Sequence, residues 1–236
     1  METPHVITEE QLERENVEIT RRYKEMLQNT YITLSDDDKK LIRKAFDLAV
    51  DAHKDQRRKT GEPYIYHPIA VAKIVADEIG LGATSIAAAL MHDVVEDTDY
   101  TVEDIEKLFG KKIAKIIDGL TKISVLNRQD LSIQSENYKK LLLTLSEDVR
   151  VILIKIADRL HNMRTLDSMR EDKQVKIESE TIFIYAPLAH RMGLYNIKSE
   201  LEDLSLKYTQ PEAYHNIEQK LTETKSDREK YINDFR

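Results

Sequence analysis

The chain has 236 residues, of which only 6 are Gly and 5 are Pro, well under the usual ~12 % share of these two residues, so turn-dense sandwiches, collagen-like repeats and Pro/Gly-rich disorder are poor readings. With 41 % hydrophobic and 33 % charged residues, it can bury a sizeable core beneath a well-solvated surface and reads as a soluble helical protein. The 36 Lys and Arg against 43 Asp and Glu leave a net charge of −7, which repels a polyanion at long range and speaks against direct nucleic-acid binding, though not against a small basic pocket.

The absence of cysteine excludes disulfide frameworks, thiolate zinc sites and a Cys nucleophile. No stretch approaches ~18 consecutive apolar residues, and the opening METPHVITEEQLERE carries no apolar signal segment, so no membrane association is expected and the expected compartment is the cytoplasm.

Residues 1–35 are polar and charged, with a helix expected over Glu9–Leu27 and little indication of chemistry. Ser35 before the acidic turn Asp36–Asp38 predicts an N-capped amphipathic helix through LIRKAFDLAVDAH. The basic loop Gln56–Tyr64, punctuated by Gly61 and Pro63, crosses to a helix over Ile69–Ile79, with Pro68 suited to its first turn. Gly80 and Gly82 close that helix, and Ala83–Asp97 predicts an Ala-rich, tightly packed one. Thr101 and Asp104 match a capping box for a helix ending near Phe109. Gly110 separates it from a helix over Lys111–Ile123, where Asp118-Gly119 leaves a hairpin open as the alternative. Residues 124–137 are polar and predict a mobile connection. A helix follows from Ser146 to about Arg170, then Ile177–Leu188, Leu194–Tyr208 and a charged helix from Pro211 to Arg236. No stop signal follows YINDFR, so the chain is expected to be a piece of a longer polypeptide.

The helix VRVILIKIADRLHNMRTL is apolar over most of its circumference, yet Lys155, Asp158, Asn162, Thr165 and Met169 share one face. A carboxylate on a buried helix needs compensation, so Asp158 requires a partner, which could be Lys155, an Arg or an ion. LMHDVVEDT adds His92, Asp93, Glu96 and Asp97 at the end of an apolar helix, and His67 lies between Tyr66 and Pro68 where another begins. Two imidazoles and two carboxylates can serve one divalent ion. Neighbouring His92 and Asp93 diverge by roughly 100° on a regular helix, so a joint site needs a helix end or distortion, for which Val94–Asp99 is the candidate. Mixed imidazole and carboxylate ligation suits an octahedral Mn2+ or Fe2+ better than a closed tetrahedral structural zinc.

This H…HD…D arrangement resembles the HD phosphohydrolase superfamily. RRKTGEPYIYHP, LMHDVVEDT, IADRLHNMRTL and YAPLAHRMGLYNIKSELEDLSLKY narrow the resemblance to the hydrolase domain of the RelA/SpoT family, over roughly Leu41 to Tyr214. The resemblance implies an all-α HD-domain helical bundle over 36–196, an N-terminal helical segment over 1–35, and an extension over 197–236 leading to an absent synthetase domain that acts in cis in the intact protein. It implies hydrolysis of the 3′-pyrophosphate of ppGpp or pppGpp with one Mn2+ per site, held by His67, His92, Asp93 and Asp158. Glu96 would accept the proton of the attacking water with Asp97 as its close partner. Arg58 would stack on the guanine, Lys59 and Thr60 would contact base or phosphate, and Asn162 and Thr165 would reach ribose or phosphate. Met169 would line the base pocket, with core packing the stronger account of it. Arg57 is expected to be solvated. His53 and His190 are expected to be satisfied structural residues, and His161 to orient Asp158; Tyr185 and Arg191 are expected to lock helices. A catalytically silent guanosine-nucleotide sensor and a generic HD nucleotide phosphohydrolase are the competing expectations.

Overall fold

The computed structural model describes residues 8–28, 30, 32–127 and 148–224. Among them there is no β-strand, only an isolated antiparallel bridge between Arg57 and Pro63, so the all-helical expectation holds. Two compact units divide the chain, Met1–His161 and Asn162–Arg236.

In the first unit the helices are α1 Glu9–Gln28, α2 Asp36–Ala52, α3 Tyr66–Lys73, α4 Ala83–Leu90, α5 Val94–Asp97, α6 Val102–Phe109, α7 Lys111–Asn127 and α8 Val149–Arg164, the last running just past the boundary. The expected capping box at Thr101 forms, and the expected N-cap Ser35 proves to head a second one. Ser35 Oγ accepts the Asp38 N–H at 3.2 Å while Asp38 accepts the Ser35 N–H at 3.0 Å, and Thr101 and Asp104 repeat the arrangement at 3.2 Å in each direction. Each satisfies two of the amide groups that a helix start leaves without partners.

The Ala-rich α4 is the hub, packed against α2, α3 and α7. Ile86 through Leu90 are wholly buried, and three consecutive alanines let the surrounding helices approach closely. Ile86 and Leu90 each contribute on the order of 1.5–3 kcal/mol by leaving water. The helix is shorter than expected: it stops at Leu90, and a turn separates it from the single-turn α5. The helix expected over Ile69–Ile79 begins earlier, at Tyr66, and passes after Lys73 into a wider π-type turn over Ile74–Glu78. Phe109 ends α6 at Gly110, whose φ of +80° is open to glycine at little cost.

Asp118-Gly119 lies inside α7 rather than in a hairpin. A Cβ placed on Gly119 would stand 2.9 Å from Val151 Cγ2 of α8, so the glycine is there for close approach of two helices. α7 extends through Asn127, while 128–137 of the expected connection lies outside the described residues. The helix expected from Ser146 begins at Val149 and ends at Arg164, followed by a 3-10 turn over Leu166–Ser168.

In the second unit α9 Glu171–Glu180 passes through a π-type turn, Thr181–Tyr185, into α10 Ala186–Arg191, followed by α11 Tyr195–Thr209 and α12 Pro211–Glu223. Tyr185, Leu188, Ile197 and Leu201 form its core, and Arg164 makes a two-pronged pair with Glu200 at 2.6 and 2.7 Å. Of the last expected helix, 225–236 lies outside the described residues.

Gly119→Ala gains ~1 kcal/mol of helix propensity but meets an overpacking cost of ~1–3 kcal/mol. We expect a net loss of stability in denaturant titration, and a gain when the same change is made in a Val151→Ala chain. Equal stability of Gly119→Ala and wild type would contradict the close approach of α7 and α8.

Candidate metal centre

His67 is the second residue of α3, and its N–H donates to the Tyr64 carbonyl at 2.9 Å, which seats the helix start on the preceding loop. His92 and Asp93 occupy the turn between α4 and α5. Met91 (φ −108°, ψ 12°) and Asp93 (φ −104°, ψ −4°) both leave regular helical geometry, and this break lets adjacent side chains face one point. The distortion required by the sequence is thus present, just ahead of Val94 rather than after it. Asp158 comes from α8, its side chain 15 % exposed.

Donor atoms of His67, His92 and Asp93 lie within 4.8 Å of one another, and Asp158 Oδ1 joins them beside the two imidazoles. His67 Nε2 lies 3.2 Å from Asp158 Oδ1 and 3.7 Å from Asp93 Oδ2. His92 Nε2 lies 2.9 Å from Asp93 Oδ2 and 3.8 Å from Asp158 Oδ1. Donors bonded at roughly 2.1 Å to one ion stand about 3.0 Å apart in an octahedron and about 3.4 Å apart in a tetrahedron, so the spacing suits a shared ion.

The orientation of His92 makes the same point. Its Nδ1 donates to the Ala89 carbonyl at 2.8 Å, which turns Nε2 toward the cluster. That Nε2 is buried and has no aligned hydrogen-bond partner, despite the nearby Asp93 oxygen. His67 is held in a similar way, its Nδ1 lying 2.7 Å from His161 Nδ1. His161 therefore braces His67.

Charge completes the case. Burial lowers the pKa of His67, and the attraction of Asp158 does not make up the difference. For His92 burial is outweighed by the charges of Asp93 and Asp158, and its pKa is pushed up to about 9. Burial would raise both carboxyls, but His92 and Lys155, together with the His67 contact at Asp158, hold Asp93 and Asp158 well below the usual carboxylate range. Two ionised carboxylates in a buried place call for positive charge. Lys155, 5 % exposed, supplies part of it to Asp158 Oδ2 at 3.4 Å, so the partner anticipated from sequence is present without closing the site: Oδ1 still faces the imidazoles.

Tyr64 belongs to the site although the sequence assigned it no role. Its hydroxyl donates to Asp93 Oδ2 at 2.7 Å and lies 3.3 Å from Asp97 Oδ2. Burial, then the charges of Asp93 and Asp97, push its pKa far above the ordinary range, so it stays a donor. Its position three residues before His67 in EPYIYHP was the one available signal. Tyr64 packs on the ring of His53, 4.8 Å between centroids. His53 Nδ1 meets Gln56 Oε1 at 2.8 Å, and Gln56 Nε2 donates to the Asp97 carbonyl at 2.7 Å. His53 is buried but is not the satisfied residue expected, because its Nε2 has no hydrogen-bond partner.

Glu96 is half-buried and Asp97 exposed on α5, directly after His92 and Asp93. Arg58 is half-buried, and Lys59 and Thr60 are exposed, in a turn closed by Arg58 N–H to the Glu62 carbonyl and Gly61 N–H to the Arg58 carbonyl, both 2.9 Å. Arg57 departs from expectation: it forms a partly buried pair with Glu15 of α1 at 2.7 Å. Asn162, Thr165 and Met169 are half-buried residues of the second unit, where the Met169 carbonyl accepts from Gln174 Nε2 at 2.9 Å. Tyr185 is buried there as a core residue, whereas Arg191 is exposed.

A family model described as the HD domain matches residues 45–195. A probable guanosine-3′,5′-bis(diphosphate) 3′-pyrophosphohydrolase of Synechocystis is 50 % identical over 80 % of this chain and 25 % of its own length. The corresponding enzyme of Aquifex aeolicus is 47 % identical over 82 % and 27 %, and the bifunctional (p)ppGpp synthase/hydrolase SpoT of Escherichia coli 46 % identical over 84 % and 28 %. The chain thus spans about a quarter of the length of these relatives. A solved structure, described as a metazoan ortholog of SpoT that hydrolyzes ppGpp and plays a role in starvation responses, superposes with a TM-score of 0.55 at 26 % identity, over 75 % of this chain and 98 % of the other. No helix among the described residues is long and apolar enough to cross a membrane.

Tyr64→Phe removes the donor that orients Asp93. We expect divalent-ion affinity, measured by calorimetry, to fall about 10- to 100-fold while the helical circular dichroism is retained. Unchanged affinity would contradict the orienting role.

Proposed function

Since the chain belongs to the HD-domain family, among the RelA/SpoT proteins, we propose that it hydrolyses the 3′-pyrophosphate of ppGpp and pppGpp, releasing pyrophosphate with GDP or GTP. The observation that carries this reading is the convergence of His67 Nε2, His92 Nε2, Asp93 Oδ2 and Asp158 Oδ1, with a buried imidazole nitrogen left without an aligned partner.

These four residues would hold one Mn2+. When bound, the ion supplies Lewis acidity toward a phosphoryl oxygen and lowers the cost of ionising water. Glu96 accepts the proton of the water that attacks the phosphorus esterified to the ribose 3′-oxygen. The P–O bond breaks on the ribose side of that phosphorus, and the 3′-oxygen leaves with the nucleoside and takes up a proton. Asp97 sits beside Glu96 on α5, and Tyr64 links Asp97 to the ligand Asp93. Tyr64 and Lys155 hold the two carboxylates in place, and His161 and the Ala89 carbonyl hold the two imidazoles.

Arg58 lies on the guanine, where a planar guanidinium can stack and still donate from its edge. Lys59 and Thr60 contact base or phosphate from the same turn. Asn162 and Thr165 reach the ribose or phosphate, and Met169 lines the base pocket. In the longer polypeptide a synthetase domain acts in cis, as the bifunctional name of the Escherichia coli relative suggests, and the enzyme works in the cytoplasm without nucleic-acid or membrane partners.

Purified protein incubated with ppGpp and Mn2+ is expected to yield GDP and pyrophosphate, and a chelator is expected to abolish the reaction. Asp158→Ala should lower turnover by more than about 100-fold, since a ligand is lost and not merely its support. Glu96→Gln should lower it about 100- to 10,000-fold. Binding without turnover would favour a nucleotide sensor instead, and turnover of deoxynucleoside triphosphates alone a generic phosphohydrolase.

A further inference from the structure

α1 is bound to the element that carries His67. The Arg22 guanidinium lies 4.0 Å from the centroid of the Tyr66 ring, Lys73 Nζ lies 2.6 Å from Glu25 Oε1, and Met26 is wholly buried. α1 also reaches the basic turn. Arg57 Nη1 donates to Glu15 Oε1 at 2.8 Å and Nη2 to Glu15 Oε2 at 2.7 Å, a two-pronged pair. The Glu15 side chain is 13 % exposed and that of Arg57 25 %. Gln11 Nε2 adds a third hydrogen bond, to Glu15 Oε1 at 3.0 Å.

The same Nη1 of Arg57 also donates to the Gly61 carbonyl at 2.8 Å. One guanidinium therefore ties α1 to the far side of the turn, across Arg58, Lys59 and Thr60. Gly61 sits at φ +86°, so the turn depends on one residue in a conformation that only glycine adopts easily. The backbone bridge between Arg57 and Pro63 closes its base. Arg58 follows Arg57 directly, so fastening Arg57 to α1 and to Gly61 also fixes the backbone from which Arg58 projects. The pairing also holds the Glu15 carboxyl below its ordinary pKa, through the hydrogen bond from Arg57.

We propose that Glu15 is a positioning residue for nucleotide recognition: through Arg57 it fixes the turn Arg58–Thr60 in its binding geometry, so that α1 sets affinity for the guanosine nucleotide independently of the metal centre. The inference rests on the hydrolase reading for the identity of the nucleotide. A partly buried fork pair with three satisfied donors is geometrically demanding, and a misplacement of about 1 Å in a binding group is enough to cost on the order of 100-fold. Nothing in the pair touches His67, His92, Asp93 or Asp158, which separates its effect from that of a ligand.

The test compares wild type with Glu15→Gln and Arg57→Met, singly and together, each checked for intact helical circular dichroism at the assay temperature. Two quantities are read: the Kd for ppGpp by calorimetry in the presence of chelator, and the Kd for Mn2+ alone. We expect Glu15→Gln to raise the nucleotide Kd about tenfold and to leave the Mn2+ Kd within about twofold. In the Arg57→Met background, Glu15→Gln should then have no further effect on nucleotide binding. KM for ppGpp should rise in parallel, with kcat nearly unchanged. A Glu15→Gln chain that keeps the wild-type nucleotide Kd overturns the proposal, as does one whose Mn2+ affinity falls with it, or effects of the two substitutions that simply add. If wild type binds ppGpp but does not hydrolyse it, the hydrolase reading fails while the Kd comparison still decides the role of Glu15. If wild type does not bind ppGpp, both fail.

Discussion

Asp93 and Asp158 bring negative charge into a helical core made largely of Ile, Leu, Val and Ala, and both remain ionised there. Removing a carboxylate from water is costly unless positive charge and hydrogen-bond donors replace the solvent. Much of the local architecture of the first unit follows from meeting that requirement. Lys155 meets Oδ2 of Asp158 and leaves Oδ1 to the imidazoles, whereas at Asp93 the Tyr64 hydroxyl and both imidazoles gather at the same oxygen, Oδ2. The arrangement gathers two imidazoles and two carboxylates at one buried point, a donor set suited to a divalent ion.

The fold bends to this demand at two places. An unbroken helix over Ala83–Asp97 would send His92 and Asp93 in different directions, and the chain instead stops α4 at Leu90 and restarts at Val94. α3 begins at Tyr66, so that His67 lies in the first turn and receives its placement from the loop before it. Both departures lie at proposed ligands, where site geometry has overridden helix regularity. Away from the site, regularity wins: Gly119, a poor helix residue by propensity, stays inside α7 because Val151 leaves no room for a side chain.

What could be read from the sequence was what is written locally. The capping residues Ser35 and Thr101, the glycine stop at Gly110 and the buried character of α8 follow from short-range pattern, and each is found. The four converging residues were legible because polar side chains interrupt apolar helices, an anomaly that packing does not explain. The contacts that support them were not. Tyr64 meets Asp93 across 29 residues, Arg57 meets Glu15 across 42 and His67 meets His161 across 94, and no periodicity encodes such pairings. For that reason α1 looked chemically silent and Arg57 looked solvated. His161, three residues from Asp158 on the same helix, also meets His67 of another element, a contact that the local spacing does not reveal.

Whether the four donors share one ion is measured directly by anomalous X-ray scattering from crystals of this chain grown or soaked with Mn2+. We predict a single anomalous peak per chain, within bonding distance of His67 Nε2, His92 Nε2, Asp93 and Asp158. A peak elsewhere, or none while the four side chains close on one another as ion pairs, would contradict it.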